Sequence, residues 1–315
     1  MTNNITIHIL LNPVAGNGKA LKIFSKLKKL LIQRKIRNYL YSSSRPGDLT
    51  EIAKKYSDQE HNKKEILLVI GGDGSLNEVV NGIKRSNHPE TPVSYLPAGS
   101  GNDFARAAKL TNNPEVLLAN LVKQKKPEMV DCGSFIDNDL NTSRTYFVNN
   151  FGIGFDAYIV NRTNTHSLKR KLNKIHVGNL TYIINVFNAL KNQDTFSVSV
   201  FDYQGEKHFD NVYFTTTTNH PYFGGGVPIL PSANIYNHRL STIVVQKPSL
   251  GKFLRLFAKL FKDGSHVNDP HFHCIEAKEI RVKTYNKEYC QIDGENGPKT
   301  TYDISFKIDH FYLQK

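Results

Sequence analysis

The chain has 315 residues, 22% charged and 39% hydrophobic, with a formal net charge of +13. This composition is typical of a globular protein long enough for two domains, and it excludes a largely disordered chain. The positive charge favours anionic partners such as nucleotide phosphates, nucleic acid or an anionic membrane surface. The three cysteines are widely spaced without a CxxC pair, which argues against a zinc site or a disulfide framework.

The start of the chain, MTNNITIHILLNP, lacks a basic region followed by a long apolar core, so we expect no signal peptide. No apolar run approaches the roughly 20 residues that a membrane-spanning helix needs. We therefore expect a cytoplasmic protein whose contact with a membrane is peripheral.

Strands alternate with helices in the first part of the chain. Helices are predicted over 20–33, with Leu21, Phe24, Leu27 and Leu31 on one stripe, and over 75–85. Buried strands are predicted over 5–11, 66–70 and 92–97. This alternation predicts a doubly wound, parallel α/β domain over residues 1–130.

Short alternating segments dominate after about residue 130. They predict a mostly antiparallel β domain over residues 131–315, with the last strand as a candidate to return to the first domain. Helices are predicted near 168–192 and 249–262. The predicted strands are 145–150, 195–202, 207–218, 240–246, 275–284, 288–293 and 301–307.

A glycine-rich loop, GGDGS, follows the strand at 66–70. Its glycines allow the backbone to approach a ligand closely, and the N-terminus of the following helix favours an anion. Asp73 in this loop would repel phosphate unless a cation such as Mg²⁺ lies between them or the carboxylate orients a reacting group. In the simpler alternative, Ser75 and Glu78 form a capping box that only starts the helix. Asp73 favours the metal-nucleotide interpretation.

Two further loops, NPVAGNGKA after the first strand and PAGSGNDFAR at 97–106, have similar compositions. The first is not a Walker A loop, because Ala20 follows Lys19, and it is not a GxGxxG loop either. Loops at the carboxyl ends of parallel strands are where open α/β sheets bind ligands.

Together these segments resemble the diacylglycerol kinase catalytic-domain family, specifically its soluble bacterial lipid kinases. The resemblance implies a two-domain lipid kinase that binds ATP in the cleft between an α/β domain and a β-sandwich domain. The matching segments, in the family's order, are NPVAG (12–16), GGDGSLNEVVNG (71–82), PAGSGNDFAR (97–106), NNFGIGFDA (149–157), GGG (224–226) and DGE (293–295).

The resemblance also implies functional residues and cofactors. Glu295 would be the general base on the lipid hydroxyl, Asp73 a second catalytic residue, and ATP and Mg²⁺ the cofactors. From the residues alone, Asp293-Gly294-Glu295 is an ordinary hairpin turn, since Asp-Gly is a strong turn signal. The nucleotide would be lined by Asn12, Pro13, Val14, Ala15, Gly16, Ser43, Gly72, Asp73, Gly74, Ser75, Leu76, Asn77, Glu78 and Ser100.

The sequence departs from the family's pattern in two places. Ser75 and Ser100 stand where threonine is common, and the hydroxyl is preserved. The segment LPSANIYNHRLS (230–241) lacks the acidic residues with which many relatives bind a structural Mg²⁺. Hard cations prefer carboxylate oxygens, so retention of that metal site stays open.

Two basic segments are candidates for contact with a membrane. The segment 249–264 is amphipathic, with apolar residues on one face and four cations beside them, although packing on its own sheet is the alternative. A second cluster lies in 167–180, and we expect membrane docking there more than at the helix. The apolar face consists of Leu250, Phe253, Leu254, Phe257, Leu260 and Phe261, the flanking cations are Lys252, Arg255, Lys259 and Lys262, and the second cluster is Lys169, Arg170, Lys171 and Lys174.

The leading hypothesis is transfer of the γ-phosphoryl group of ATP to diacylglycerol or a similar long-chain lipid alcohol, at the inner face of the cell membrane. The alternatives are a kinase on a soluble acceptor such as NAD and a nucleotide-responsive binding protein without catalysis. We expect no nucleic-acid partner, because no known binding motif is present, and no protein-bound metal centre at His271 and His273, because a third ligand is not evident. A homodimer is left open.

Overall fold

A parallel sheet forms the centre of the first domain, as predicted. The computed structural model describes residues 5–123, 125–140, 142–154 and 194–315. The sheet has the spatial order β2-β1-β3-β4, and helices pack on both of its faces. Its strands are β1 (Thr6–Leu11), β2 (Arg37–Ser42), β3 (Glu65–Gly71) and β4 (Val93–Pro97), and the helices are α1 (Lys19–Gln33), α2 (Asp48–Ser57), α3 (Asp73–Lys84), α4 (Asp103–Ala107) and α5 (Pro114–Val122).

The helix faces agree with the sequence pattern in α3 and differ from it in α1. The apolar stripe of α3, which runs from Leu76 to Ile83, is fully buried. In α1 the buried stripe contains Ala20 and Ile23 in place of Leu21 and Phe24, and Leu21 is exposed. Apolar residues on two adjacent stripes make both orientations possible, and the smaller Ala20 fits the close approach to the sheet.

The second domain is built from antiparallel strands. Among its described residues, a helix, α6 (Leu250–Lys262), precedes a short 3₁₀ helix (Ser265–Asn268). The predicted helix near 168–192 and the basic cluster in 167–180 lie outside the described residues. The strands are β5 (Glu128–Asp137), β6 (Thr145–Phe147), β7 (Asn150–Gly154), β8 (Phe196–Asp202), β9 (Gly205–Thr218), β10 (Tyr222–Phe223), β11 (Val227–Pro228), β12 (Leu240–Gln246), β13 (Phe272–Ala277), β14 (Glu279–Thr284), β15 (Glu288–Ile292), β16 (Glu295–Thr300) and β17 (Asp303–Leu313).

The segment predicted as one strand over 275–284 is two strands. β13 pairs with β12, whereas β14 pairs with β8 and β17. The chain leaves β12 at Lys278 and continues between β8 and β17, and a strand pattern alone does not reveal such a change of partners.

The last strand connects the two domains. β17 pairs with β5 along its whole length and, at its end, lies parallel to β4 through Leu313 and Val93. Ile235, from a loop of the second domain, packs in the same core as Phe311 of β17. These contacts fix the cleft between the domains. Within the described ranges, no helix is long and apolar enough to cross a membrane.

Candidate active site

The loops that follow β1, β3 and β4 touch one another at the carboxyl edge of the parallel sheet. A methyl group on Gly99 would lie 2.6 Å from the Cα of Gly72, and one on Gly16 would lie 2.1 Å from the carbonyl oxygen of Ala98. Side chains are therefore excluded where the loops meet. The Asn12 amide also donates a hydrogen bond to Ser75 Oγ at 3.0 Å, so the first and second loops form one continuous surface.

The capping-box interpretation is wrong. Helix α3 begins at Asp73, and no side chain of the described residues caps its start. Ser75 lies inside the first turn, and Glu78 turns away to accept the backbone N–H of Leu49 at 3.1 Å, at the start of α2. The first N–H groups of α3 consequently remain available to an anion.

The structure brings most of the expected nucleotide-lining residues to these loops. Pro13, Val14 and Ala15 continue from Asn12 towards Gly16, and Val14 is exposed. Ser43 lies beside them, because its backbone N–H donates to the carbonyl of Leu11. Three of the expected side chains point away from the loops. Leu76 is fully buried in the core, Glu78 faces α2, and Asn77 donates to the Tyr146 carbonyl and to Asp293 of the second domain.

Asp73 lies at the centre of this edge. Its Oδ2 accepts the backbone N–H of Asp103 at 2.8 Å, whereas its Oδ1 is buried and has no hydrogen-bond partner in the described part of the chain. Burial raises the pKa of Asp73 to about 7, and the charges of Asp103 and Asp293 act in the same direction.

Asp103 is a site residue that sequence reasoning missed. Its carboxylate pairs with Arg106 at 2.7 Å and accepts the backbone N–H of Gly225 at 2.8 Å, so it fastens the GGG loop of the second domain to the first. Burial raises the pKa of Asp103. Asp103 follows a loop of small residues and begins a helix. Asp73 was predicted as a site residue from the same sequence feature, so this feature could also have identified Asp103.

Asp293 and Gly294 form a hairpin turn between β15 and β16, both with positive φ, as the sequence predicts. The turn also has a second role. The Asp293 carboxylate accepts four N–H groups at 2.7–2.9 Å, because it is enclosed by the β6–β7 turn and by Asn77 of α3. Burial raises the pKa of Asp293 to about 6. The backbone donors are Val148, Asn149 and Asn150.

Glu295 begins β16 directly after this turn and is exposed. A methyl group on Gly74 would lie 3.8 Å from Glu295 Oε1, so the carboxylate faces the GGDGS loop. The two predicted catalytic residues, Asp73 and Glu295, therefore approach the same space from different domains.

Comparison with known proteins agrees with this geometry. Residues 6–135 match the family "Diacylglycerol kinase catalytic domain", and residues 150–307 match the "YegS C-terminal NAD kinase beta sandwich-like domain". A relative from Bacillus subtilis (strain 168), "Putative lipid kinase YtlR", is 30% identical over 287 residues that cover 91% of this chain and 92% of that protein. The chain belongs to the diacylglycerol kinase catalytic-domain family. It is therefore a kinase, that is, a phosphotransferase, and membership of the family implies ATP as the phosphoryl donor.

Other similar proteins have lower sequence identity to this chain. A "Diacylglycerol kinase" of Bacillus subtilis (strain 168) is 25% identical, over 92% of the kinase described here and 89% of its own length. The crystal structure of a diacylglycerol kinase from Bacillus anthracis str. Sterne gives a TM-score of 0.73 at 20% identity, covering 99% and 96% of the two chains. Yeast NADH kinase gives 0.54 at 9% identity, covering 98% and 82%. These two structures show a shared fold.

The cleft of the kinase contains a cavity of about 490 Å³. Acidic and small residues line one part of it, among them Asp73, Ser100, Asp103, Asp293 and Glu295. The remaining polar lining is Asn149, Asn150, His266, His271 and Gln291. The rest of the wall is apolar, so apolar space is continuous with the acidic cluster. The apolar lining comes from Phe214, Phe223, Val227, Ile229, Val245, Pro248, Phe253, Leu256, Phe257, Leu260 and Phe272.

The segment 230–241 of the kinase does not fit a hard cation. The carboxylate of the buried Asp131 is paired with the backbone N–H of His238 at 2.7 Å and with His238 Nδ1 at 2.8 Å. The carboxylates of Glu128 and Glu276 accept the hydroxyls of Tyr236 and Ser241. The side-chain oxygens of Asn234 and Asn237 each accept a backbone N–H two residues further on. An imidazole and two occupied amides are poor substitutes for the carboxylates that Mg²⁺ prefers.

Proposed function

We propose that this kinase transfers the γ-phosphoryl group of ATP to the hydroxyl of diacylglycerol or a similar long-chain lipid alcohol. The observation that carries the proposal is the apolar cavity that opens onto Asp73 and Glu295. A soluble, polar acceptor such as NAD would need hydrogen-bonding groups around it, whereas most of this wall offers none. A long hydrocarbon chain gains free energy from the same wall, because its apolar surface leaves water.

The loops around Asn12, Gly72 and Ser100 are suited to hold the phosphates of ATP. Backbone N–H groups at the start of α3 point to the same edge, and small residues leave room for a nucleotide. The free Oδ1 of Asp73 fits Mg²⁺, which usually binds one or two carboxylates together with phosphate oxygens. When bound there, Mg²⁺ would neutralise negative charge on the phosphates.

The reaction needs an in-line approach and a proton acceptor. The acceptor oxygen attacks the γ-phosphorus, the bond from this phosphorus to the β–γ bridging oxygen breaks, and ADP leaves. The hydroxyl proton goes to the Glu295 carboxylate, which faces the GGDGS loop. Because Glu295 is exposed, it can return the proton to solvent after transfer.

A lipid acceptor also implies a place of action. Diacylglycerol resides in a bilayer, so we propose that the kinase associates peripherally with a membrane during turnover. A soluble acceptor would require no such association.

The test uses γ-labelled ATP with a total lipid extract in mixed micelles, with NAD present as a competing acceptor. Wild type is compared with Glu295→Gln, and folding is checked by thermal unfolding. We expect label in the organic phase for wild type and at least 100-fold less for Glu295→Gln, since general-base catalysis contributes about 10²–10⁴-fold. Label in NADP would favour the soluble acceptor, and ATP binding without transfer would favour the non-catalytic alternative.

A further inference from the structure

Helix α6 has apolar residues on two sides. On the inner side, Phe253, Phe257 and Leu260 line the cavity. On the outer side, Leu250 and Leu254 are 62% and 48% exposed, and none of the residues of α6, all of which the structure describes, is buried. The helix is therefore a single layer between the cavity and solvent, with an apolar stripe that faces outward.

Cations lie beside this outer stripe. The helix contains four Lys or Arg residues and no carboxylate. Lys252 pairs with Asp269 at 3.2 Å. Lys262 and Lys259 are near enough to Asp263, directly after the helix, to help lower the pKa of that carboxyl. Arg255, Lys259 and Lys262 form no ion pair at contact distance with any described carboxylate. Unpaired cations next to an exposed apolar stripe complement a bilayer surface that contains anionic lipids.

We propose that the outer face of α6, formed by Leu250, Leu254, Arg255, Lys259, Phe261 and Lys262, docks on an anionic lipid bilayer. This inference deepens the proposed function, because docking there places the substrate cavity directly behind the layer that touches the lipid. A second copy of the chain is a poor occupant, since two basic faces would repel each other. The continuity of the helix with the apolar cavity favours lipid over a partner protein.

Vesicle binding tests the surface without ATP or an acceptor. Full-length protein is sedimented with vesicles of phosphatidylglycerol and phosphatidylcholine, and with phosphatidylcholine alone. Wild type should bind the anionic vesicles more tightly. The variant Arg255→Gln/Lys259→Gln/Lys262→Gln should lose at least about tenfold in binding, because it removes three cations that face the anionic surface. The variant Leu250→Gln/Leu254→Gln should also lose at least about tenfold, because it removes apolar surface that leaves water on docking.

The matched control variants carry the same types of substitution at exposed positions outside α6. Ile32→Gln/Leu140→Gln alters two exposed apolar side chains, and Lys26→Gln/Lys28→Gln/Lys29→Gln removes three exposed cations of α1. Both controls should bind like wild type. Equal losses in the controls, or none in the α6 variants, would overturn the proposal.

A second measurement distinguishes loss of membrane docking from loss of the proposed phosphoryl transfer. With a short-chain diacylglycerol dissolved as a monomer, the α6 variants should phosphorylate it at the wild-type rate, but they should phosphorylate vesicle-borne diacylglycerol at least about tenfold more slowly. Vesicle binding that depends on α6 without phosphorylation of any lipid would support the surface and refute the proposed function. Normal phosphorylation of vesicle-borne lipid by the variants would refute the surface.

Discussion

Asp73 shows how a single residue connects the motif to the chemistry. The glycines around it leave its Oδ1 buried and unpartnered by any described residue, and burial raises its pKa to about 7. The sequence indicates a carboxylate near phosphate, but it does not reveal the neighbouring Asp103 and Asp293. The contact with Asp103 depends on the packing of two loops within the α/β domain, and the proximity of Asp293 depends on the meeting of the two domains.

The first prediction concerns Asp73→Asn. The folded state favours the protonated carboxyl, because its pKa of about 7 lies above the ordinary value of 3.8. The stability associated with that proton is fully present below about pH 3.8 and is lost as the pH rises from there to about 7. The neutral variant should therefore exceed wild type in unfolding temperature by more at pH 8 than at pH 5, with turnover reduced by orders of magnitude.

The measurement is thermal unfolding at both pH values without ATP or Mg²⁺, beside a turnover assay. Identical differences between variant and wild type at pH 5 and pH 8 would contradict the shifted pKa. Normal turnover of the variant would contradict a catalytic role.

The second prediction concerns Asp293→Asn. The carboxylate accepts four N–H groups, and an amide would present its own N–H₂ to some of them. An unsatisfied buried group costs about 1–3 kcal/mol, so the free energy of unfolding should fall by about that amount. Because the turn positions Glu295, kcat should fall more than the KM for ATP rises.

Asn77→Ala is the comparison variant. It removes one of the four donors to Asp293 and leaves the other three, and it also removes the hydrogen bonds of Asn77 with the Tyr146 carbonyl and with Asn81. Because the turn keeps three donors, Asn77→Ala should cost less activity than Asp293→Asn. Denaturant unfolding and steady-state kinetics of the two proteins decide this, and wild-type behaviour of Asp293→Asn would refute the role of the turn.

At the scale of elements, α3 links the nucleotide loops to the second domain. Asn81 accepts the backbone N–H of Tyr146 at 3.0 Å and donates to its carbonyl at 2.9 Å, so the helix pairs with β6 much as a strand would. The helix was predictable from its apolar stripe. Its polar contacts were not, because asparagine in a helix is ordinarily a solvated residue.

The other elements differ in how well their sequence pattern predicts them. The buried strands β1, β3 and β4 are continuous apolar runs, so they were predicted to within a residue or two. The exposed edge strand β2, with the sequence RNYLYS, lacks this signal and was missed together with α2. Its pairing with β1 supplies the stabilisation that its own composition does not indicate.

The third prediction concerns the contact between loops. Gly99→Ala would place a methyl group 2.6 Å from the Cα of Gly72, and backbone atoms cannot yield as a flexible side chain can. The loops should separate, so affinity for ATP should fall at least about tenfold, as for about 1.4 kcal/mol of lost binding. Gly251→Ala is the control, because no described atom lies within 4 Å of the added methyl group. ATP titration by calorimetry measures both, and equal affinities would contradict the close contact.

At the scale of the whole molecule, the connections that hold the domains around the cleft include β17 paired with β4, Asp103 bonded to Gly225, and Asn77 bonded to Asp293. The division into an α/β domain and an antiparallel β domain followed from the change of pattern near residue 130. The cavity did not, because its wall combines residues from β9, β12, β13 and α6 that no local pattern groups together.

The central claim is that this cavity takes the hydrocarbon chain of the acceptor, and Val245→Phe tests it most directly. Val245 lines the cavity, so the larger phenylalanine ring would occupy the volume in which the hydrocarbon chain of the acceptor is proposed to bind. The measurement is kcat/KM for diacylglycerols of short and long chains, beside the KM for ATP. We predict at least a tenfold loss with the long-chain acceptor, little change with the short one and an unchanged KM for ATP. Equal losses for both acceptors, or none for either, would contradict the claim.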